Sequence, residues 1–429
     1  MKRRFVLILF FCGIFISMFD LCVAKNQLDA QLDKVSLIKH SDGDWELFVG
    51  GKPYFIKGVL YAPVKIGEDP GNATMRDWML YDDDNDGIND VAFQTWVDVN
   101  GNGKNDAGEE IGDFQLMKEM GVNTVRFYHL PSVNNAAGDI YKASASTALQ
   151  YDHAPNKELL RRLYNDYGIR VLVGNFVGSW TIGSGADWAG GTDYTNPIHR
   201  ENIKKSVKAM VLDHKDEPYV LMWVLGNENN IASWSNCNAK DQPEAYATLI
   251  GELTRMIKEL DTDHPVAVCE GDNQDMLKFY ARHAKEIDVL AYNSYRGAFG
   301  FGTLWKSVKE AFDRPVFISE FGKPASGPDG YLEEKQMHHV KGNWEDVVAN
   351  SHGGASEGEA IRSSIGGIVF DWLDRWYMVG NPTEQDKKKN FGGVYEEWFG
   401  ILAMGQNADS LKREKRKVYD YLKGVWVEE

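Results

Sequence analysis

Eight short apolar runs, rich in β-branched and aromatic residues, punctuate the chain. They are "YFIKGVLY" (54–61), "NTVRFYH" (123–129), "IRVLVGNFV" (169–177), "YVLMWVLGN" (219–227), "PVAVCEG" (265–271), "IDVLAYNSY" (287–295), "PVFISEFG" (315–322) and "GGIVFDWLD" (366–374). Helical patterns separate them, such as "FQLMKEMG" before the second and "TLWKSVKEAF" before the seventh. Near-continuous apolar runs flanked by helices read as strands buried on both faces of a parallel sheet. Eight such alternations predict a closed (β/α)8 TIM barrel; an open doubly wound sheet is the rival, and the regularity of the repeat disfavours it. Ahead of the barrel, "WELFV" and "YFIKGVLY" flank Gly50-Gly51-Lys52-Pro53, which predicts an N-terminal β-hairpin. "SHGGASEGEA" (351–360) reads as an exposed loop before the last strand. No Ser/Pro-rich linker interrupts the pattern, so residues 25–429 are expected to form a single domain.

The first 24 residues have a different pattern. Lys2, Arg3 and Arg4 precede an apolar stretch that ends at Cys22-Val23-Ala24, which reads as a signal peptide cleaved after Ala24. Asp20 interrupts the run and argues against the alternative, an uncleaved membrane anchor. The expectation is a secreted or periplasmic protein with no stable membrane insertion after cleavage. Cys237 and Cys269 would then be the only cysteines kept, and the sequence leaves open whether they pair.

In a barrel of this kind, chemistry sits at the C-terminal ends of the strands. The polar residues there are Arg126 and His129 on the second, Asn175 on the third, and Asn227 and Glu228 on the fourth. They continue with Glu270 on the fifth, Tyr295 on the sixth, Glu320 on the seventh, and Trp372 and Asp374 on the eighth. Two carboxyls facing each other across one mouth suit general-acid and nucleophilic work on a sugar, if their surroundings push the two pKa values apart. Arg126 and Tyr295 could keep one of them ionised by charge and hydrogen bonding. Either Glu alone could equally be a helix-cap partner or a surface ion pair. Two at matching strand ends, among Arg, His, Tyr and Trp, weigh against that plainer reading.

The segment "EPYVLMWVLGNEN" resembles the acid/base segment of glycoside hydrolase clan A, and of family 2 in particular. "GKPYFIKGV", "NTVRFYHLP", "HPVAVCEG", "LAYNSYRG", "VFISEFG" and "GGIVFDWLD" resemble further strands of that family's catalytic TIM barrel, so the likeness runs over about residues 46–425. The resemblance implies Glu228 as acid/base, Glu320 as nucleophile, and Asn227 on the sugar 2-hydroxyl. It also implies that Arg126 and Tyr295 orient Glu320, that His129 binds substrate and that Trp372 is the floor under the cleaved sugar. Family 2 enzymes usually carry β-sandwich domains ahead of the barrel, and the short stretch found here instead suggests a more open cleft.

The region of about 66–112, after the first strand, is expected to be an acidic insertion. It holds one pattern twice: Asp82, Asp84, Asp86, Gly87 and Asp90, then Asp98, Asn100, Asn102, Gly103, Asp106 and Glu109. The second copy completes a calcium-loop motif, with oxygen ligands at alternating positions and Gly at the sharp turn. Structural Ca2+ is therefore expected, and no organic cofactor; a plain solvated acidic loop is the alternative.

The formal net charge of -16 argues against nucleic acid, since a phosphate backbone selects basic patches. The 13 Trp fit a carbohydrate partner, with Trp180, Trp188, Trp234 and Trp305 expected in loops where they could stack on sugar or simply pack. The leading reading is a secreted retaining β-glycoside hydrolase acting on a β-linked oligo- or polysaccharide. A β-glucan transglycosylase would use the same two glutamates. A non-catalytic, calcium-dependent carbohydrate-binding protein would not need both.

Overall fold

The computed structural model describes residues 34–69, 106, 112–130, 156–231, 235–327, 330–355, 360–390, 393–405 and 413–427. The chain opens with an antiparallel sheet, β1 (Val35–Lys39), β2 (Trp45–Val49) and β3 (Lys52–Pro53). Gly50 and Gly51, with φ of 57° and 76°, make the tight turn between β2 and β3, as two-residue hairpin loops require. β1 was not anticipated: "VSLIK" is short and only its first residue is buried, so its apolar pattern is weak.

Eight parallel strands then close into a barrel. In chain order they are β4 (Ile56–Leu60), β5 (Thr124–Phe127), β6 (Arg170–Asn175), β7 (Val220–Leu225), β8 (Val266–Gly271), β9 (Val289–Asn293), β10 (Val316–Phe321) and, after a small hairpin of β11 (Ser326–Gly327) and β12 (Gly330–Tyr331), β13 (Ser364–Val369). β13 pairs with β4 and closes the ring. Seven of the eight expected runs contain a barrel strand whole, and the last strand, β13, starts at Ser364, two residues before its expected run.

Helices return the chain between strands: α1 (Asp113–Met120), α2 (Lys157–Tyr167), α3 (Pro197–His214), α4 (Pro243–Leu260), α5 (Leu277–His283), α6 (Leu304–Ala311) and α7 (Glu333–Ala349), with α8 (Lys417–Val427) last. Their ends follow local chemistry. The Asn156 side chain accepts from the Leu159 amide at 3.1 Å to start α2, and Gly168, at φ 74°, ends it. Asn196 caps α3, with Pro197 in its first turn.

The core has two apolar layers. Ile56, Leu60, Leu172, Val224, Ala291 and Ile368 fill the bore. Val59, Val125, Val171, Trp223, Leu290 and Val369 face outward onto the helices. That alternation along each strand is the pleat at work. Trp305 belongs to the outer layer: it lies in α6, is 2% exposed, and donates to Asp346 at 2.8 Å, so it is core and not a sugar-stacking loop residue. Trp234 lies outside the described residues. Cys237 and Cys269 are both free and buried. Among the described residues no helix is long and apolar enough to cross a membrane.

Candidate active site

Arg126 leaves β5 into the bore and is 1% exposed. Its Nη1 donates to Glu320 Oε1 at 2.9 Å, to the Ser319 carbonyl at 2.8 Å and to Asn293 Oδ1 at 3.1 Å. Its Nη2 donates to Asn227 Oδ1 at 2.7 Å and lies 3.2 Å from Cys269 Sγ. One guanidinium thus meets groups on four other barrel strands or their ends.

Glu320 receives two further hydrogen bonds, from the Tyr128 hydroxyl to Oε1 at 2.7 Å and from the Tyr295 hydroxyl to Oε2 at 2.8 Å. Strict alternation would send it outward, because Phe317 and Ser319 face the bore and Ile318 packs in the outer layer; instead Phe321 takes the outer layer and the alternation breaks at Glu320. The register of β10 shifts on both sides near this point, between Ile318 and Glu320 against β9 and between Ile318 and Phe321 against β13. Such irregularities re-aim a side chain, and here the carboxylate is turned to the mouth.

Glu228 follows β7 in the sharp turn Gly226-Asn227-Glu228. Gly226 has φ 77°, and a Cβ there would meet the Tyr246 hydroxyl at 2.7 Å and Asn229 Oδ1 at 2.8 Å. Glu228 itself holds φ 55°, a sparsely populated conformation for a side-chain-bearing residue. The turn is tied down by Asn229, which accepts from the Asn227 amide at 2.8 Å and donates to the Tyr194 hydroxyl at 2.8 Å. Burial, and secondarily the negative charge of Glu320, push the Glu228 carboxyl up to about 8. Glu320, by contrast, holds a cation and two hydroxyl donors. The two carboxyls are therefore set apart by environment.

Tyr128, Asn293 and Ser319 complete the network, and none was singled out from sequence. Asn293 donates to Asn227 Oδ1 at 3.1 Å and accepts from Ser319 Oγ at 2.8 Å. Tyr128 had a readable signal, since it shares the strand parity of Arg126.

His129 does not share that parity. It is fully buried, stacked on the Phe176 ring at 5.5 Å, with Nδ1 accepting from the Phe176 amide at 3.4 Å. His129, expected to bind substrate, is thus packed against Phe176 in this structure. Trp372, expected as the floor under the cleaved sugar, lies fully buried in the outer layer, its ring 6.3 Å from that of Tyr419. The chain turns after β13, so parity with Phe370 no longer places it inward. The aromatic at the mouth is Phe370, edge-on to Tyr295 at 6.2 Å and to Phe399 at 5.1 Å. Arg375 lies over the Phe370 ring at 4.8 Å and pairs with Asp371. Glu396, on the turn before Phe399, is pushed up to about 7 by burial. Trp180 stands edge-on to Phe176 at 4.9 Å, and Trp188 is 46% exposed.

Glu270 is a different kind of buried acid. It accepts from the Tyr280 hydroxyl and, at 3.2 Å, from the Asn230 amide, and burial pushes it up to about 8. Of the expected calcium ligands, Asp106 is described and half-buried. Asp82, Asp84, Asp86, Asp90, Asp98, Asn100, Asn102 and Glu109 lie outside the described residues, as does the segment 1–24.

The profile described as "Glycosyl hydrolases family 2, TIM barrel domain" matches residues 139–397. Two curated relatives, each named a probable mannan endo-1,4-beta-mannosidase F, from Aspergillus flavus and Aspergillus oryzae, are 21% identical over 325 residues, covering 65% of this chain and 66% of theirs. Among solved structures, a GH2 β-galacturonidase from Eisenbergiella tayi is 16% identical with a TM-score of 0.55, covering 92% of this chain and 54% of that one. A β-D-glucuronidase from Dictyoglomus thermophilum is also 16% identical, with a TM-score of 0.52 and the same coverage of both chains. At these identities the solved structures show the shared fold. The chain spans just under two thirds of the curated relatives and about half of these solved proteins.

Proposed function

The chain belongs to glycosyl hydrolases family 2 through its TIM barrel domain, and from that membership we propose that it is a retaining β-glycoside hydrolase. The observation that carries the reading is the unequal environment of the two glutamates. Glu320 is held by Arg126, Tyr128 and Tyr295, while Glu228 is pushed up to about 8. In the first step a Glu320 oxygen attacks the anomeric carbon as the glycosidic C–O bond breaks, and Glu228 gives its proton to the departing oxygen. In the second step Glu228, now a carboxylate, takes a proton from water. The water oxygen displaces Glu320 from the anomeric carbon and restores both side chains. Asn227, fixed by Arg126 and Asn293, would receive the 2-hydroxyl.

We take the substrate to be a neutral β-linked polysaccharide. The curated relatives are named for mannan, a neutral polysaccharide. Export through the 1–24 segment and structural Ca2+ in the 66–112 insertion belong to the same proposal and rest on sequence motifs.

Proton NMR of the first-formed product is the test. A β-linked substrate should give the β-anomer before mutarotation. Early α-anomer would mean inversion and would remove the nucleophile role from Glu320. Aryl β-mannosides and β-glucosides should be cleaved in preference to aryl β-glucuronides, and the reverse order would overturn the neutral-sugar assignment.

A further inference from the structure

At the far end of the barrel from Glu228 and Glu320, a side-chain cluster joins the N-terminal sheet to the loop after α7. His40 Nε2 lies 2.9 Å from Glu46 Oε2. His352 Nδ1 lies 3.1 Å from Asp44 Oδ2, and its Nε2 lies 4.0 Å from the same Glu46 Oε2. The two imidazoles stack at 4.0 Å with 4° between their planes. One ligand atom from each of His40, Glu46 and His352 falls within 4.8 Å of the others.

We propose that His40, Glu46 and His352 form a binding site for one divalent transition-metal ion of the zinc class. Two neutral imidazoles and a carboxylate are a borderline donor set suited to Zn2+, whereas Ca2+ and Mg2+ prefer oxygen alone. Ligands about 2.1 Å from a tetrahedral ion stand roughly 3–4 Å apart; Glu46 Oε2 already lies 2.9 Å from His40 Nε2 and 4.0 Å from His352 Nε2. Asp44 holds His352 by Nδ1 and leaves Nε2 toward Glu46, which is how a carboxylate orients a metal-binding imidazole. The scaffold is fixed independently of any ion. The His40 amide donates to the Asp44 carbonyl at 2.8 Å, and the Trp45 amide to the Arg362 carbonyl at 2.9 Å. Loading requires one ring to turn out of the stack, because parallel rings aim their lone pairs in parallel. His352, which precedes Gly353-Gly354 and whose side chain is 33% exposed, has room to do so. A cavity of about 530 Å³, lined in part by Glu46, Tyr54 and His352, gives access. The ion would clamp the N-terminal sheet to the loop after α7 and play no part in catalysis.

The test uses the full chain with Ca2+ in excess, so that oxygen-only sites are filled, and titrates Zn2+ by calorimetry and by thermal melting. The wild type should bind Zn2+ and melt higher with it. His40→Ala and His352→Ala should each weaken that binding at least tenfold and abolish the Zn2+-dependent rise, with turnover of aryl glycosides unchanged. Wild-type Zn2+ binding and response in both variants would overturn the proposal, as would no binding by the wild type. Should either alanine variant fold poorly, Co2+ bound to the wild type decides: a visible d–d absorption that His352→Gln removes supports the site, and its absence from the wild type, or its persistence in His352→Gln, overturns it.

Discussion

Glu228 and Glu320 are the same side chain placed in opposite surroundings, and this sets what each substitution should do. Glu320→Gln should abolish turnover while leaving melting close to wild type, because the attacking oxygen is lost and the shape is kept. Glu228→Ala should cost about 10²–10⁴-fold on natural glycosides, the usual worth of a general acid, and far less on aryl glycosides whose leaving group needs no proton. Glu228 must carry its proton to act, so the rate should fall as pH rises through about 8. In Glu228→Gln, assayed with a good leaving group, that alkaline limb should vanish; a limb unchanged in the variant would assign it elsewhere. Tyr295→Phe removes one donor to Glu320 Oε2, worth about 1.5–3 kcal/mol for a charged acceptor, or roughly 10–150-fold in kcat. At this scale the sequence is readable where a polar residue ends an apolar run, as Arg126, Asn227 and Glu320 do. It says less about His129, one position beyond Tyr128, which the fold buries against Phe176.

Elements set where these residues point. All eight barrel strands were legible because each is a buried apolar run, and burial on both faces leaves little else for such a run to do. What was not legible is local geometry without a composition signal. The shift in β10 that turns Glu320 inward involves ordinary strand residues, and β1 carries only one buried position. Nor could the chain's turn after β13, which exchanges Trp372 for Phe370 at the mouth, be read from "GGIVFDWLD". The turn after β7 is the element most sensitive to change. Gly226→Ala places a Cβ within 2.8 Å of Tyr246 and Asn229 oxygens at a positive φ, so it should cost ~1–3 kcal/mol. It should also lower kcat, because the same turn carries Asn227 and Glu228. Thermal melting and kinetics on one preparation would check both; an unaffected kcat would mean that the turn relaxes without moving Glu228.

Across the whole molecule, buried acids make stability depend on pH. Glu270 has an ordinary value of 4.5 and is held at about 8 when folded. The folded chain therefore keeps a proton that the unfolded chain has lost. The stabilising contribution is complete below 4.5 and is lost as pH rises through 8. Glu270→Gln should make the decline of stability across that window shallower, as read from denaturant midpoints at several pH values; a decline as steep as wild type would discharge Glu270 from this role. Chelation should lower the melting temperature if the insertion holds Ca2+, and Glu109→Ala should remove most of that response.

Arg126 reaches from β5 across the bore to Asn227, Cys269, Asn293, Ser319 and Glu320. A barrel braced internally by one side chain cannot spring open at a single seam while its reactive centre stays intact, and the centre cannot loosen while the ring stays shut. Local opening, the usual way an enzyme goes quiet before it unfolds, is closed off at this spot. Heat inactivation and loss of tertiary structure should then run along one curve, and Arg126→Lys, which keeps the charge but not the fork, should pull the two apart.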